Sequence, residues 1–209
     1  MVSSTIENAN PATRISWANF LLCFVDWFEP DQGTMVIAGA GHNSSYRRDV
    51  LMQYSADLEY RLASERVLHM ELSAKGFQIY LAPEARTYHL NLAKLKSYLE
   101  HSFLGGRVFG SFRSQTWHLT HKIVYILGAP LIPVVRLKRI FTQLNTPQKR
   151  VKSLFWSSLP LIVAGLVCHA CGEVIGYAFG AGNSQLLYTS FELNRRQHLL
   201  SDELAATWE

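Results

Sequence analysis

The order of apolar and polar positions in the N-terminal half predicts a strand, a tight turn and a helix. An apolar run at residues 35–38 meets Gly39 and Gly41, and glycine adopts turn conformations that other residues resist. The Asn-Ser-Ser sequence at residues 43–45 supplies side chains that cap helix starts, and apolar positions then recur at helical spacing over residues 47–54. We therefore expect a polar, glycine-lined edge of a pocket at this turn.

A second helix and a second strand are predicted to follow. Apolar residues recur on one stripe over residues 64–75, with an acidic side chain near the first turn, and Gly76 ends the pattern. Residues 77–81 have the aromatic and branched content of a strand, which Pro83 is expected to close. The segment after Pro83 is expected to bring His89 to the end of a strand or loop.

An aromatic-rich helix is predicted before this region, with Ser16 as its cap. Its apolar side chains lie on more than one face, so the helix is either buried against a larger body or placed against a membrane. An ordinary core helix explains Trp17 and Trp27 equally well. Residues 29–33, with the sequence Glu-Pro-Asp-Gln-Gly, then break the chain.

Two apolar segments in the C-terminal half indicate contact with a membrane. Residues 123–135 are 13 residues without a charge, interrupted by Gly and Pro. A spanning helix needs about 20 apolar residues, so we expect an interfacial or re-entrant placement for this segment. Residues 154–179 are long enough to span, with Trp156 near one end and Tyr177 near the other.

Ionisable residues interrupt the second apolar segment. His169 and Glu173 are costly at membrane depth, which favours a contact with a lipid-linked substrate, a re-entrant hairpin or shelter by partner subunits. Cys168, His169 and Cys171 are metal-type ligands but lack a second ligand pair.

Residues 183–209 are predicted to form an amphipathic helical tail.

Composition and charge indicate the cellular compartment and the kind of partner that we expect for this protein. The 209 residues carry a formal net charge of +4, and three cysteines are too few for a disulfide framework. The first residues lack the basic start and apolar core of a secretory signal, so the N-terminal part is expected to be cytoplasmic. Residues 94–117 are basic and aromatic, a pattern suited to nucleic acid, a diphosphate or anionic lipid. Because the pattern stands outside any recognised nucleic-acid module and an apolar segment follows, we expect a diphosphate or lipid and no nucleic acid as partner.

A series of short motifs runs from residue 41 to residue 89. The positions that form the series are Gly41, Asn43, Ser45, Arg47, Arg48, Glu65, Leu68, Leu72, Gly76, Phe77, Ile79, Pro83, Ala85 and His89. Their order and spacing resemble the second half of the catalytic domain of family 2 glycosyltransferases, the inverting enzymes with a GT-A fold. The resemblance covers about residues 8 to 120, and some family members also carry a membrane-associated tail.

The resemblance implies that Glu65 is the catalytic base. Glu65 stands where the family has the second residue of an acidic pair, and Ser64 stands where the family has the first. An inverting transfer needs a carboxylate that takes the proton from the acceptor hydroxyl as it attacks the anomeric carbon. An acid in the first turn of a helix also has a purely structural explanation, because the helix dipole stabilises it there.

The resemblance also implies substrate and metal contacts. The residues expected to bind substrate are Gly41, Asn43, Ser45, Arg47 and Arg107, the last in a Gly-Gly-Arg turn where it would neutralise the leaving diphosphate. His89 would reach the divalent metal, Mg or Mn, that holds the donor diphosphate in the complete enzyme. This chain alone is not expected to bind the metal.

The largest departure from the family concerns the N-terminal half that binds the nucleotide, for which this sequence shows no recognisable counterpart. The sequence contains no Asp-x-Asp motif, and about 35 residues precede the Gly-x-Gly turn. We therefore expect an α/β fold class, a partial GT-A-like domain without its N-terminal half, followed by α-helical membrane segments. A separate N-terminal nucleotide-binding half is the expected partner. The predicted divisions are residues 1–120 for the acceptor-side half, 121–182 for the membrane-associated helical region and 183–209 for the amphipathic tail.

Two functions of different classes remain open on the sequence. The first is the C-terminal part of an inverting glycosyltransferase that moves a sugar from a nucleotide-sugar donor to a membrane-associated acceptor, either lipid-linked or a glycan. The second is a non-catalytic membrane protein, a truncated remnant or an accessory subunit, that binds glycan or lipid without turnover. The motif series favours the first function. The second function is favoured because the sequence shows no counterpart of the nucleotide-binding half. Both place the chain at a membrane, and the first expects the catalytic portion in the cytoplasm.

Overall fold

The structure is a computed structural model that describes residues 1–28, 32–62, 65–144 and 149–206. Its described residues form a mixed α/β structure that is mostly helical and contains a small four-stranded sheet. The chain divides into two compact units: Met1–Glu7 with Trp27–His89, and Asn8–Asp26 with Leu90–Glu209. The division predicted from the sequence, at residues 1–120, 121–182 and 183–209, was based partly on expected membrane contact. It stays a prediction.

The first unit is built on the four-stranded sheet, in the order β2-β4-β1-β3. The strands are β1 at Val2–Asn8, β2 at Thr34–Met35, β3 at Ser44–Ser45 and β4 at Tyr80–His89. β3 pairs antiparallel with β1, and β2 pairs antiparallel with β4. β1 was not predicted, because its Ser-rich sequence hides the alternation of a strand.

β4 corrects the prediction of a strand at residues 77–81 that closes at Pro83. The strand begins at Tyr80 and passes through Pro83 to His89. The Tyr80 N–H donates to the Met1 carbonyl oxygen, so by the alternation of a strand the nitrogen of Pro83 faces the opposite side, towards β2. The register of β2 reaches only Tyr80 and Leu81, so β2 does not require an N–H from Pro83.

In the described part of the first unit, three α-helices complete the structure: α2 at Arg48–Leu51, α3 at Leu58–Leu62 and α4 at Glu65–Ala74. An apolar cluster of Val50, Tyr54, Leu68 and Leu72, against which Leu58 of α3 packs, joins them. The helix predicted over residues 47–54 is instead α2 followed by a 3-10 turn, and Ser44 and Ser45 form β3 rather than a helix cap. α4 ends at Gly76, whose φ of 87° lies in the left-handed region that favours glycine. Leu68 and Leu72 are almost fully buried, so α4 is fixed against the rest of the unit.

The second unit is helical. Its helices are α1 at Arg14–Phe24, α5 at Leu95–Arg113, α6 at Leu119–Gly128, α7 at Leu131–Gln143, α8 at Lys149–Phe179, α9 at Ser184–Leu193 and α10 at Ser201–Ala206. Within the described residues, one helix, at Val151–Phe179, is long and apolar enough to cross a membrane by length and composition. The tail predicted as one amphipathic helix is instead broken into α9, a 3-10 turn and α10.

The predicted N-terminal helix is α1, and its cap differs from the prediction. The Thr13 side chain accepts a hydrogen bond of 3.1 Å from the Ser16 N–H, so Thr13 and not Ser16 is the cap. Phe20 and Leu21 are fully buried. Their burial agrees with the interpretation of α1 as an ordinary core helix.

Glycine residues bring α5 and α8 into direct backbone contact. A Cβ atom on Gly106 would overlap the backbone of His169, and one on Gly172 would overlap the backbone of Phe103. Gly110 and Gly176 occupy equivalent positions one turn further along each helix. The predicted turn at residues 105–107 is therefore wrong, because the helix continues through it and its glycines serve close packing.

Candidate active site

Hydrogen bonds from both sides fix the loop between β2 and β3. The indole Nε1–H of Trp27 donates to the Ala38 carbonyl oxygen at 2.7 Å, and the Ala40 N–H donates to Ser3 Oγ at 2.8 Å. The Ser44 hydroxyl donates to the Ala40 carbonyl oxygen. Because β3 is paired with β1 as well, the loop presents its glycines at a defined position.

Glu65 begins α4, and its carboxylate lies against Gly41. A Cβ atom on residue 41 would overlap the carboxylate oxygens of Glu65. The site therefore requires glycine at position 41 for the carboxylate to keep this position. Two residues that the sequence placed in one site, the predicted base and the first glycine of the motif series, are in contact.

Tyr46 and His69 form a second pair beside Glu65. The Tyr46 hydroxyl lies 2.5 Å from Nε2 of His69, which is fully buried. Burial is the main cause that lowers the pKa of His69 to about 4. Burial, together with the Glu65 carboxylate, raises the pKa of Tyr46. At neutral pH the phenol is therefore protonated and the imidazole neutral, so the hydroxyl of Tyr46 and Nε2 of His69 share a hydrogen bond between two uncharged groups.

Asn43 and Ser45 line an open polar hollow of about 430 Å³. The rest of its lining is Ser4, Ser44, Ala85, Arg86 and Thr87. The Asn43 amide donates to Thr87 Oγ1 at 2.6 Å, which links the loop to β4. The volume falls within the range of about 300–1,000 Å³ that is common for small-molecule sites. Hydroxyl, amide and guanidinium groups of this kind suit sugar hydroxyls or a phosphate.

Arg47 lies on the surface of the same unit. Its Nη2 is 2.6 Å from an Asp49 carboxylate oxygen, and both side chains are mostly exposed. The arrangement is an exposed ion pair next to the motif loop, and Arg47 does not belong to the lining of the hollow. Its predicted contact with substrate stays a prediction.

His89 is the last residue of β4 and is buried, which confirms its predicted place at a strand end. The described residues contain no group of three or more His, Cys, Asp or Glu side chains that could hold a metal ion together. His89 is thus not joined there by the ligands that a Mg or Mn site needs. The expected metal contact of His89 stays a prediction.

Arg107 belongs to the second unit. Its Nε–H donates at 2.9 Å to the carbonyl oxygen of Gly180, the residue that follows α8. The guanidinium therefore satisfies a carbonyl group at the C-terminal end of a helix. Its expected contact with a leaving diphosphate stays a prediction.

The motif series missed Tyr46 and His69. His69 lies four residues after Glu65, a spacing that places both side chains on one face of a helix. That spacing was the available signal, whereas nothing in the sequence paired His69 with Tyr46. Comparison of the chain with family models, curated proteins and solved structures finds no match.

Proposed function

We propose that the first unit is the acceptor-side part of an inverting, GT-A-like glycosyltransferase, with Glu65 as the catalytic base. The observation that carries the proposal is the contact between the Glu65 carboxylate and Gly41. Gly41 lies two residues before Asn43, whose side chain lines the polar hollow. The carboxylate of Glu65 on α4 thereby lies against the loop whose polar groups suit a sugar.

In the proposed step, Glu65 takes the proton from an acceptor hydroxyl. The acceptor oxygen forms a bond to the anomeric carbon as the bond from that carbon to the diphosphate breaks. The diphosphate leaves with both electrons of that bond, and attack from the opposite face inverts the anomeric centre. A positioned base of this kind contributes roughly 100-fold to 10,000-fold in rate.

Tyr46 and His69 are proposed to orient the carboxylate. The neutral His69 is hydrogen-bonded to Tyr46 and adds no positive charge beside Glu65. A cationic partner would stabilise the carboxylate and weaken it as a base. The neutral pair itself therefore does not weaken Glu65 as a base.

The donor is proposed to be a nucleotide sugar held with a separate nucleotide-binding half, and the acceptor to be a lipid-linked or glycan molecule at a membrane. Mg or Mn, when bound by the complete enzyme, would stabilise the charge of the diphosphate. The experiment is transfer from a panel of nucleotide sugars, with the full chain reconstituted with and without the nucleotide-binding partner. Transfer that depends on both components supports the proposal. Equal transfer without this chain contradicts it.

A second function, glycan or lipid binding without turnover, is favoured by the lining of the hollow. Its described residues offer hydroxyl, amide and guanidinium groups but no carboxylate. Binding by the hollow would therefore survive neutralisation of Glu65. If Glu65→Gln leaves glycan binding intact and the reconstituted wild-type chain shows no transfer, the binding function replaces the catalytic one.

A further inference from the structure

An exposed apolar stripe runs along α8 in the second unit. Its members recur at helical spacing and are all uncharged: Trp156, Pro160, Val163, Val167, Cys171 and Ala178. From Trp156 to Ala178 the helix rises about 33 Å. The hydrocarbon core of a bilayer is about 30 Å thick, so the length of the stripe matches it.

Two neighbouring helices present further exposed apolar residues. On α6 these are Leu119, Ile123, Val124 and Leu127, and on α7 they are Leu131, Val134 and Val135. Every residue of α6 is half-buried or exposed, and Leu127 is 75% exposed. Apolar surface of this extent on several helices is typical of a site that another apolar body covers.

Aromatic side chains cluster near both ends of the stripe. Near the N-terminal end the Trp156 ring lies 5.2 Å from the Phe155 ring and 6.0 Å from the Phe141 ring. Near the C-terminal end the half-buried Trp117 ring stacks 5.6 Å from the ring of Tyr177, which is itself buried. Tryptophan and tyrosine are enriched at both interfaces of a bilayer, which is where the two ends of such a stripe would lie.

Positive charge predominates around the stripe, although Arg139 is paired with Asp26 and Glu173 lies buried on α8. Residues 101–172 contain nine Lys or Arg residues and no Asp or Glu, and six of the nine lie between Arg136 and Lys152. Lys138 and Lys152 are exposed. Lys152 also lines an apolar cavity of about 130 Å³ with Phe141, Leu144, Phe155 and Trp156. An ammonium group above an aromatic cavity suits an anionic headgroup whose chains enter apolar surroundings.

We propose that the stripe of α8 and the exposed apolar residues of α6 and α7 are covered by the acyl chains of a bilayer that contains anionic lipids. The end of the unit that bears Lys138 and Lys152 lies at the level of the headgroups. A second copy of the chain would bring two surfaces of the same positive sign together, whereas anionic lipid is complementary to them. The proposal does not depend on the chemistry at Glu65.

Cys171 provides a native probe, because it is exposed on the stripe. We would replace Cys23 and Cys168 with serine, attach a nitroxide to Cys171, and reconstitute the full chain in vesicles of phosphatidylcholine with phosphatidylglycerol. The label should collide frequently with oxygen and rarely with a water-soluble nickel chelate. The control label is placed at residue 52 through Met52→Cys, an exposed position of the first unit, and should show the opposite pattern.

Two results would overturn the proposal. The first is equal access of the nickel chelate to the labels at residues 171 and 52 in vesicles. The second is shielding of Cys171 in water without lipid or detergent, in a complex of defined mass, which would assign the surface to a second copy or a protein partner.

Charge reversal tests the headgroup contact separately. Lys138→Glu with Lys152→Glu should lower association with anionic vesicles at least about tenfold and have little effect on neutral vesicles. Added salt should reduce the difference between the two vesicle types for the wild-type chain. An unchanged preference for anionic vesicles in the double variant would contradict the assigned headgroup end.

Discussion

The carboxylate of Glu65 occupies the space that a side chain on Gly41 would need. Glu65 opens α4, whose buried Leu68 and Leu72 fix the helix, and Gly41 belongs to the hydrogen-bonded loop between β2 and β3. The carboxylate is thus placed by two elements that are anchored independently. Because of this arrangement, a small change at residue 41 should act on the carboxylate before it acts on the fold.

Gly41→Ala should displace the Glu65 side chain with little loss of stability. The atoms that the new methyl group meets are the end of a flexible side chain, which can rotate away. We expect transfer by the reconstituted enzyme to fall at least about tenfold, since a base must lie within hydrogen-bond reach of the proton. The free energy of unfolding, measured by urea titration, should change by less than about 1 kcal/mol. A large loss of stability would show that the loop cannot accommodate any Cβ and would remove this evidence for the base.

His69 should make the first unit less stable in mild acid. Between pH 4 and 6.5 the unfolded chain binds a proton at residue 69 that the native state does not bind. The free energy of unfolding should therefore be fully retained above pH 6.5 and should fall as the pH decreases towards 4, by at most about 3 kcal/mol. Urea titrations at pH 5, 6 and 7 of the wild type and of His69→Gln measure the effect. If both proteins lose the same free energy on acidification, His69 is not the responsible group.

Tyr46→Phe should leave Nε2 of the buried His69 without its hydrogen-bond partner. An unsatisfied buried polar atom costs about 1–3 kcal/mol, so the free energy of unfolding should fall by that amount. Tyr88→Phe is the matched control, because Tyr88 is 64% exposed and should tolerate the same change. Equal stability of the two variants would contradict the hydrogen bond.

Gly172→Ala should destabilise the second unit. The new methyl group would overlap the backbone of Phe103, which unlike a side chain cannot move without separating α5 from α8. Overpacking of this kind typically costs about 1–3 kcal/mol. Gly128→Ala, at a position with open space around the added Cβ, is the control and should be neutral or slightly stabilising. The measurement is thermal unfolding in detergent, and a Gly172→Ala midpoint equal to that of Gly128→Ala would exclude the close helix contact.

The sequence allowed a good prediction where one local signal dominates. The stripe of Leu68 and Leu72 predicted α4, and Gly76 predicted its end because a left-handed residue is needed there. Asn43 and Ser45 line one polar hollow, which agrees with the polar pocket edge expected at the glycine turn. Glu65 could be placed at the start of α4 from its position in the same series.

Three features of the structure depend on tertiary contacts that the sequence did not allow us to predict. β1 becomes a strand because β4 and β3 flank it, although its own residues alternate poorly. Gly105 and Gly106 suggested a turn, but they lie inside α5, where Gly106 allows the backbone of α8 to approach. Tyr46 joined the candidate site only when the fold brought its hydroxyl to His69, since the two residues are 23 positions apart.

Glu65→Gln tests the proposed function most directly. The amide keeps the size of the side chain but cannot accept the acceptor proton, so turnover in the reconstituted enzyme should fall by roughly 100-fold or more while donor binding persists. Glu84→Gln is the control, because Glu84 is exposed on β4 and its neutralisation should leave turnover unchanged. Near-full turnover by Glu65→Gln, with unchanged donor binding, would contradict the assignment of Glu65 as the base.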